Sequence, residues 1–143
     1  MRLAVDANVL LAASLGGRTR RVFSRPDWSF FTTGSVMAEV SEHAPIIASR
    51  RGLALPDVET AFRSIPVNVV PDPDFAHCLS EAWNRIGGRD PDDVALLALA
   101  LAMRIPLWSN DKDFAIAGIE LWTTAAIMES EVLWEPPAPP QEG

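Results

Sequence analysis

Arg89–Phe114 reads RDPDDVALLALALAMRIPLWSNDKDF. A cluster of acids, Asp90, Asp92 and Asp93, opens a run of ten apolar residues, Val94–Met103. The run is rich in Leu and Ala and poor in β-branched types, which predicts a helix rather than a strand. Apolar on every side, such a helix has to be buried. Pro106 turns the chain into a short apolar strand, and Asp111 and Asp113 follow at once. Acids at both ends of a buried helix–strand unit are held in place by packing. Fixed acids with few partners call for a cation.

Working outward, the remaining chain alternates strand and helix signals. Leu3–Val5 reads as a buried strand ending in Asp6, followed by a short helix capped near Ala7–Asn8 and running to Ala13. Gly16–Gly17 breaks it, and Arg18–Arg25 reads as a basic helix ended by Pro26. Trp28–Thr33 is a second strand, closed by Gly34. Ser35 is placed to cap a helix over Val36–His43 that Pro45 stops, with helical character resuming over Ile46–Arg51. Pro56–Ser64 suits a helix with proline in its first turn. Val67–Val70 is a third strand, Asp74–Arg85 a helix, Ile119–Trp122 a fifth strand and Ala125–Leu133 a last helix. The domain is expected to span residues 1–134, with Glu135–Gly143 (EPPAPPQEG) as a flexible Pro-rich tail. Such alternation implies a mostly parallel sheet covered on both faces, a three-layer α/β/α arrangement. Ligands gather at the carboxyl ends of strands in such sheets, which is where Asp6 and Asp111 fall.

Composition narrows the function class. With 143 residues, the chain is long enough to bury about two-thirds of its unfolded surface. No apolar run approaches the roughly 20 residues that span a bilayer. A single cysteine, Cys78, forms no internal disulfide, so a cytoplasmic setting is expected. The net charge of −7 argues against a general nucleic-acid binder. That average conceals a sorting of charge. Arg18, Arg20, Arg21 and Arg25 crowd into eight positions, Arg50 and Arg51 form a pair, and the only lysine, Lys112, sits between Asp111 and Asp113.

Each acid has a bland reading beside the chemical one. Asp90 before Pro91 is a good helix cap. Asp92 in the first turn complements the helix dipole, worth about 0.3–1 kcal/mol. Asp93 shares a face with Leu96, Leu97 and Ala100 and so points along the buried side, although half of a capping box fits it equally on spacing. Glu39 lies four residues after Ser35, where a capping box wants three, and otherwise reads as a solvated helix acid. Asp111 and Asp113 are also placed to cap a following helix. Energies weigh against a purely structural set: two carboxylates about 4 Å apart repel by roughly 1–4 kcal/mol at effective dielectric constants of 80 to 20. Hard oxygen donors without His or Cys nearby select Mg²⁺ or Mn²⁺ over zinc. His43 and His77, far from the acids in sequence, are given no site role.

Four segments together carry a family resemblance: VDANVL, SVMAEV, DDVALLALA and SNDKDF. They resemble the PIN-domain nucleases, and among these the VapC-type toxins of toxin–antitoxin pairs. The resemblance covers about Met1–Glu131, and eighteen residues separate Asp93 from Asp111. It implies a five-stranded PIN-like α/β/α sheet and metal-dependent endoribonuclease activity. The family's four acids fall on Asp6, Glu39, Asp93 and Asp111, which would hold one or two Mg²⁺ or Mn²⁺ ions. Asp113 matches a frequent further acid and is counted as a metal ligand. Asp92 is the fallback for the third acid, because the doubled aspartate leaves the register open. Asn8 is the usual companion of the first aspartate, and Ser109 takes the strand-end Ser/Thr position. Both are counted with Arg18, Arg20 and Arg21 as substrate contacts, the arginines holding the phosphodiester backbone without reading sequence. The resemblance further implies attack by a metal-activated water to leave a 5′-phosphate and a 3′-hydroxyl, a small antitoxin partner and a homodimer.

Three rivals stand beside this reading. A haloacid-dehalogenase phosphatase needs a second aspartate two residues after the first, where Asn8 stands. A phospho-acceptor receiver wants paired acids at the first strand, where Asp6 stands alone, and a late strand-end lysine, whereas Lys112 follows an acid. The strongest rival is a non-catalytic PIN-fold protein-interaction module whose acids merely cap helices.

Overall fold

The computed structural model describes residues 1–87 and 91–131, so Asp90 and the Pro-rich segment from Glu135 lie outside the described residues. Five strands form one sheet: β1 (Arg2–Val5), β2 (Ser29–Thr33), β3 (Asn68–Val70), β4 (Leu107–Trp108) and β5 (Leu121–Trp122). Their order is β3-β2-β1-β4-β5 and every neighbouring pair is parallel. The helices between them are α1 (Ala7–Ser14), α2 (Gly17–Val22), α3 (Gly34–Arg51), α4 (Leu55–Arg63), α5 (Leu79–Ile86), α6 (Pro91–Met103) and α7 (Thr124–Glu131). This is the five-stranded parallel α/β arrangement expected from the alternation of strand and helix signals.

The order of strands fixes the place of the site. The chain moves outward from β1 to β3, then returns to lay β4 on the other side of β1. Right-handed crossovers send the helices of the two directions to opposite faces. Accordingly α1 packs on α2, α3 and α4, whereas α5 packs on α6 and on a 3₁₀ segment, Lys112–Ala117. The reversal between β1 and β4 opens a crevice at their carboxyl ends. Asp6 follows β1 directly, and Ser109 follows β4.

Packing explains why that crevice is rigid. In α6, Val94 and Leu96–Ala100 are buried, with Leu96, Leu97 and Leu99 wholly removed from solvent. Each of those leucines contributes about 1.5–3 kcal/mol by burial. Under the other side of β1, Phe23, Phe30 and Trp108 meet at ring-centroid distances of 4.4 to 6.0 Å. The sheet's central strand thus sits between an apolar helix and an aromatic cluster. Among the described residues no helix is long and apolar enough to cross a membrane.

Several expected boundaries differ. Helix α3 runs unbroken through Pro45, and Thr33 rather than Ser35 caps it, its Oγ1 accepting from the Val36 N–H at 3.1 Å. Pro45, Ser41 and Glu42 are all exposed, so the carbonyl of Ser41 that loses its helical donor can turn to water. The basic helix is shorter than expected, Gly17–Val22, and Asp6 itself caps α1. The expected helix over Asp74–Arg85 is split into two 3₁₀ turns, Asp72–Asp74 and Ala76–Cys78, before α5. No more than Leu121–Trp122 of the expected fifth strand pairs in the sheet, because β4 opposite it is two residues long.

Candidate functional site

Asp6 is the buried anchor of the crevice. Its backbone N–H donates to the Trp108 carbonyl at 3.0 Å, which locks the end of β1 to the end of β4. Its Oδ1 accepts from the Ala7 N–H at 2.7 Å, and its Oδ2 accepts from the Ser109 hydroxyl at 2.5 Å. Burying a carboxylate is costly unless hydrogen bonds satisfy it, and these donors do so. Asn8 adds a longer bond, Nδ2 to Asp6 Oδ2 at 3.4 Å.

Ser109, fully buried, does more than hold Asp6. The same hydroxyl accepts from the Asp111 N–H at 3.0 Å, so one oxygen bridges the first acid to the backbone of the fourth. Asp111 caps the 3₁₀ segment, its Oδ1 accepting from the Asp113 N–H at 2.9 Å. The loop is pinned further by Asn110, whose Oδ1 accepts from the Thr124 N–H at 2.8 Å and whose Nδ2 donates to Thr124 Oγ1. The capping and site readings of Asp111 are therefore both realised by one side chain.

Glu39 reaches the crevice from the second turn of α3, and Asp93 from the first turn of α6. Asp6, Glu39, Asp93 and Asp111 line a single hollow, with Asn8 on its rim. Asp92 and Asp113 are not among its lining residues. The donors are all oxygen, which suits Mg²⁺ or Mn²⁺. Among the described residues, no group of three or more His, Cys, Asp or Glu stands close enough together to hold an ion with the side chains as they are.

The arginines expected to hold substrate lie elsewhere. Arg20 donates to the Ala61 carbonyl at 2.9 Å and to the Ser64 hydroxyl, tying α2 to α4. Arg20 and Arg21 line a separate hollow with Phe23 and Ile65. Arg18 is exposed and lines neither.

The acidic hollow also has a wall that the sequence reading passed over. His43, Ile46, Ile47 and Arg50 line it from α3, and His43 Nε2 lies 3.9 Å from Glu39 Oε1. The signal was present as a helical stripe at positions 39, 43, 46/47 and 50. Ending the helix at Pro45 hid it. His43, assigned no role, is thus placed in the site, whereas His77 is exposed on a 3₁₀ turn.

Comparison with known proteins agrees with this fold. A family model described as a PIN domain matches residues 4–131. By sequence, no curated protein matches. Among solved structures, the chain is similar to PAE2754 from Pyrobaculum aerophilum, with a TM-score of 0.70 and 14% identity over 94% of this chain and 91% of that one. It is similar to VapC20 of Mycobacterium tuberculosis, a sarcin-ricin loop cleaving toxin, with a TM-score of 0.56 and 22% identity over 82% and 95% of the two chains. It is also similar to VapBC2 from Rickettsia felis, solved on a DNA fragment from its promoter, with a TM-score of 0.63 and 13% identity over 86% and 98%.

Proposed function

Because this chain belongs to the PIN-domain family, we propose that it is a Mg²⁺- or Mn²⁺-dependent endoribonuclease, and the toxin of a type II toxin–antitoxin pair. The observation that carries the reading is one hollow at the β1/β4 switch point lined by Asp6, Glu39, Asp93 and Asp111. These four would hold the metal, with Asp113 at the margin. Bound there, a divalent ion supplies a water of lowered pKa and charge neutralisation at the scissile phosphate. The chain's own part is positioning. Ser109 and the Ala7 N–H hold the Asp6 carboxylate in one orientation. The Ser109 bridge to the Asp111 N–H keeps the first and fourth acids at a set spacing. Glu39 and Asp93 stand on separate helices, so drawing them toward a common ion couples α3 and α6, which already touch.

A small antitoxin protein covering the acidic hollow, a homodimer and a cytoplasmic setting complete the reading. Similar structures support it: one is a toxin that cleaves the sarcin-ricin loop, and another is a toxin–antitoxin complex from Klebsiella pneumoniae. The rival is a non-catalytic PIN-fold interaction module. It draws on the absence, among the described residues, of three metal-binding side chains already gathered.

The deciding experiment incubates the purified chain with a panel of structured RNAs in Mn²⁺. Cleavage that EDTA abolishes, and that Asp93→Asn and Asp6→Asn lack, is the expected result. Intact RNA under every metal tried, with a protein partner still bound, establishes the interaction module instead.

A further inference from the structure

The wall of α3 that faces the acidic hollow ends in Arg50. This residue is exposed, and among the described residues it makes no hydrogen bond or ion pair. Arg85 is committed to Glu81 and to the carbonyls of Ala117 and Gly118, Arg20 to α4, and Arg2 and Arg25 to the faces of Phe31 and Trp28, and of all the described arginines Arg50 alone lines the acidic hollow. An uncommitted guanidinium on the wall of a pocket lined by four carboxylates would be expected to fold onto them. Spacing prevents it. Arg50 lies eleven residues beyond Glu39, roughly 16 Å along the helix axis, and Ile46 and Ile47 fill the surface between. Neither isoleucine offers a counter-ion. Helical side chains lean toward the N-terminus, so Arg50 leans along this wall toward the acids without reaching them.

We propose that Arg50 is the substrate-positioning residue of this site, gripping an RNA backbone phosphate that neighbours the scissile one. The proposal rests on the endoribonuclease reading and replaces Arg18, Arg20 and Arg21 as the backbone contact. A polyanion crossing the hollow needs positive charge at both ends of its track. The metal provides it at the acids, and a forked guanidinium suited to phosphate oxygens provides it at the far end. Ile46, half exposed, gives an apolar floor between the two, where a sugar or base edge can rest.

The test measures binding and cleavage separately. Fluorescence anisotropy of a labelled single-stranded RNA is followed in Mg²⁺ with the full chain carrying Asp93→Asn, so that the RNA survives. Adding Arg50→Gln is expected to weaken binding roughly tenfold and to lower the salt slope by about 0.7, the value for one phosphate contact on a single strand. Arg50→Lys recovers the salt slope but only part of the affinity, because a point charge replaces the fork. Arg51→Gln, an exposed neighbour off the hollow, leaves affinity within about twofold for a distant surface charge. In the otherwise native chain, Arg50→Gln raises KM and leaves kcat nearly unchanged, the mark of lost uniform binding. Equal affinity for Arg50→Gln and its parent overturns the proposal, as does an equal loss from Arg51→Gln, which would mean diffuse charge. No RNA binding by the parent chain overturns it too. If the native chain binds RNA through Arg50 but cuts none, the nuclease reading fails while Arg50 stands as an RNA phosphate contact only.

Discussion

Asp92 and Asp93 are chemically identical neighbours, and of the two it is Asp93 that lines the acidic hollow. The helical turn decides between them: 100° of rotation separates adjacent side chains, enough to swing one from the crevice to the flank. Sequence spacing could state this preference, since Asp93 shares a face with the buried Leu97 and Ala100, but could not exclude the other register. Asp93→Asn is accordingly expected to abolish metal-dependent cleavage, and Asp92→Asn to retain most of it, as measured by single-turnover RNA cleavage. Equal losses would place the third acid's role on both. Ser109 makes a sharper case. Its hydroxyl is buried, donates to Asp6 and accepts from the Asp111 N–H. Ser109→Ala leaves a buried carboxylate oxygen short of a donor and a half-buried N–H short of an acceptor. The expected cost is about 1–3 kcal/mol in urea unfolding, together with a fall in kcat. Loss of stability without loss of rate would reduce Ser109 to a structural tie. The strand-end position of Ser109 was legible in the sequence. Its bridging role was not, because a hydroxyl's partners depend on where a second strand ends.

At the scale of elements, α6 was the most legible and α3 the least. Ten consecutive apolar residues point to a buried helix, and α6 is that helix, fully shielded over Leu96–Ala100 and half-buried at Ala95 and in its last turn, Leu101–Met103. In α3, proline signalled a stop that tertiary packing overrode. Val36, Val40, Ala44 and Ala48 are buried at helical spacing on both sides of Pro45, and that continuous stripe outweighs the roughly 3 kcal/mol that an interior proline costs through its lost hydrogen bond and ring clash. Reading the apolar stripe before the proline would have kept the helix whole and exposed the His43–Arg50 wall. Pro45→Ala is therefore expected to stabilise the chain by about 2 kcal/mol, the roughly 3 kcal/mol that an interior proline costs a helix less up to about 1 kcal/mol for its stiffening of the unfolded chain, with a higher urea midpoint and the same slope. A drop in midpoint would mean that the proline's stiffening of the unfolded chain matters more. The end of α6 stores strain of a different kind. Arg104 has φ of 56°, and the Ile105 N–H reaches back to the Ala100 carbonyl at 3.1 Å, closing the helix with a left-handed residue. A side chain is unfavourable there, so Arg104→Gly should gain about 0.5–1 kcal/mol despite glycine's greater freedom when unfolded. Thermal melting at matched salt checks it.

For the molecule as a whole, the sequence indicated which strand ends should converge, but not the order in which the strands lie. Placing β4 against β1 rather than β3 requires contacts between residues a hundred positions apart, such as Asp6 with Ser109, and no local signal encodes them. That order is what draws acids from four elements to one crevice in a chain already carrying −7. Their mutual repulsion has a consequence for folding. The unfolded chain spreads these carboxylates apart, so an ion that binds the folded hollow stabilises the native state by mass action. At a hundredfold excess over Kd the gain is about 2.7 kcal/mol, which for a domain of this size raises Tm by roughly 5–10 °C. The native chain should therefore melt higher in Mn²⁺ than in EDTA. The double substitution Asp6→Asn with Asp93→Asn should show no response to Mn²⁺, while its Tm in EDTA reflects both the relief of charge repulsion and the loss of an acceptor for the Ser109 hydroxyl or the Ala7 N–H. Differential scanning calorimetry at constant ionic strength separates the two cases. An identical Mn²⁺ shift in both proteins would locate the ion on the general acidic surface and remove the metal from the hollow. Dependence of the shift on all four acids, with Asp113→Asn and Asp92→Asn responding as the native chain does, would fix the ion at the junction of β1, β4, α3 and α6.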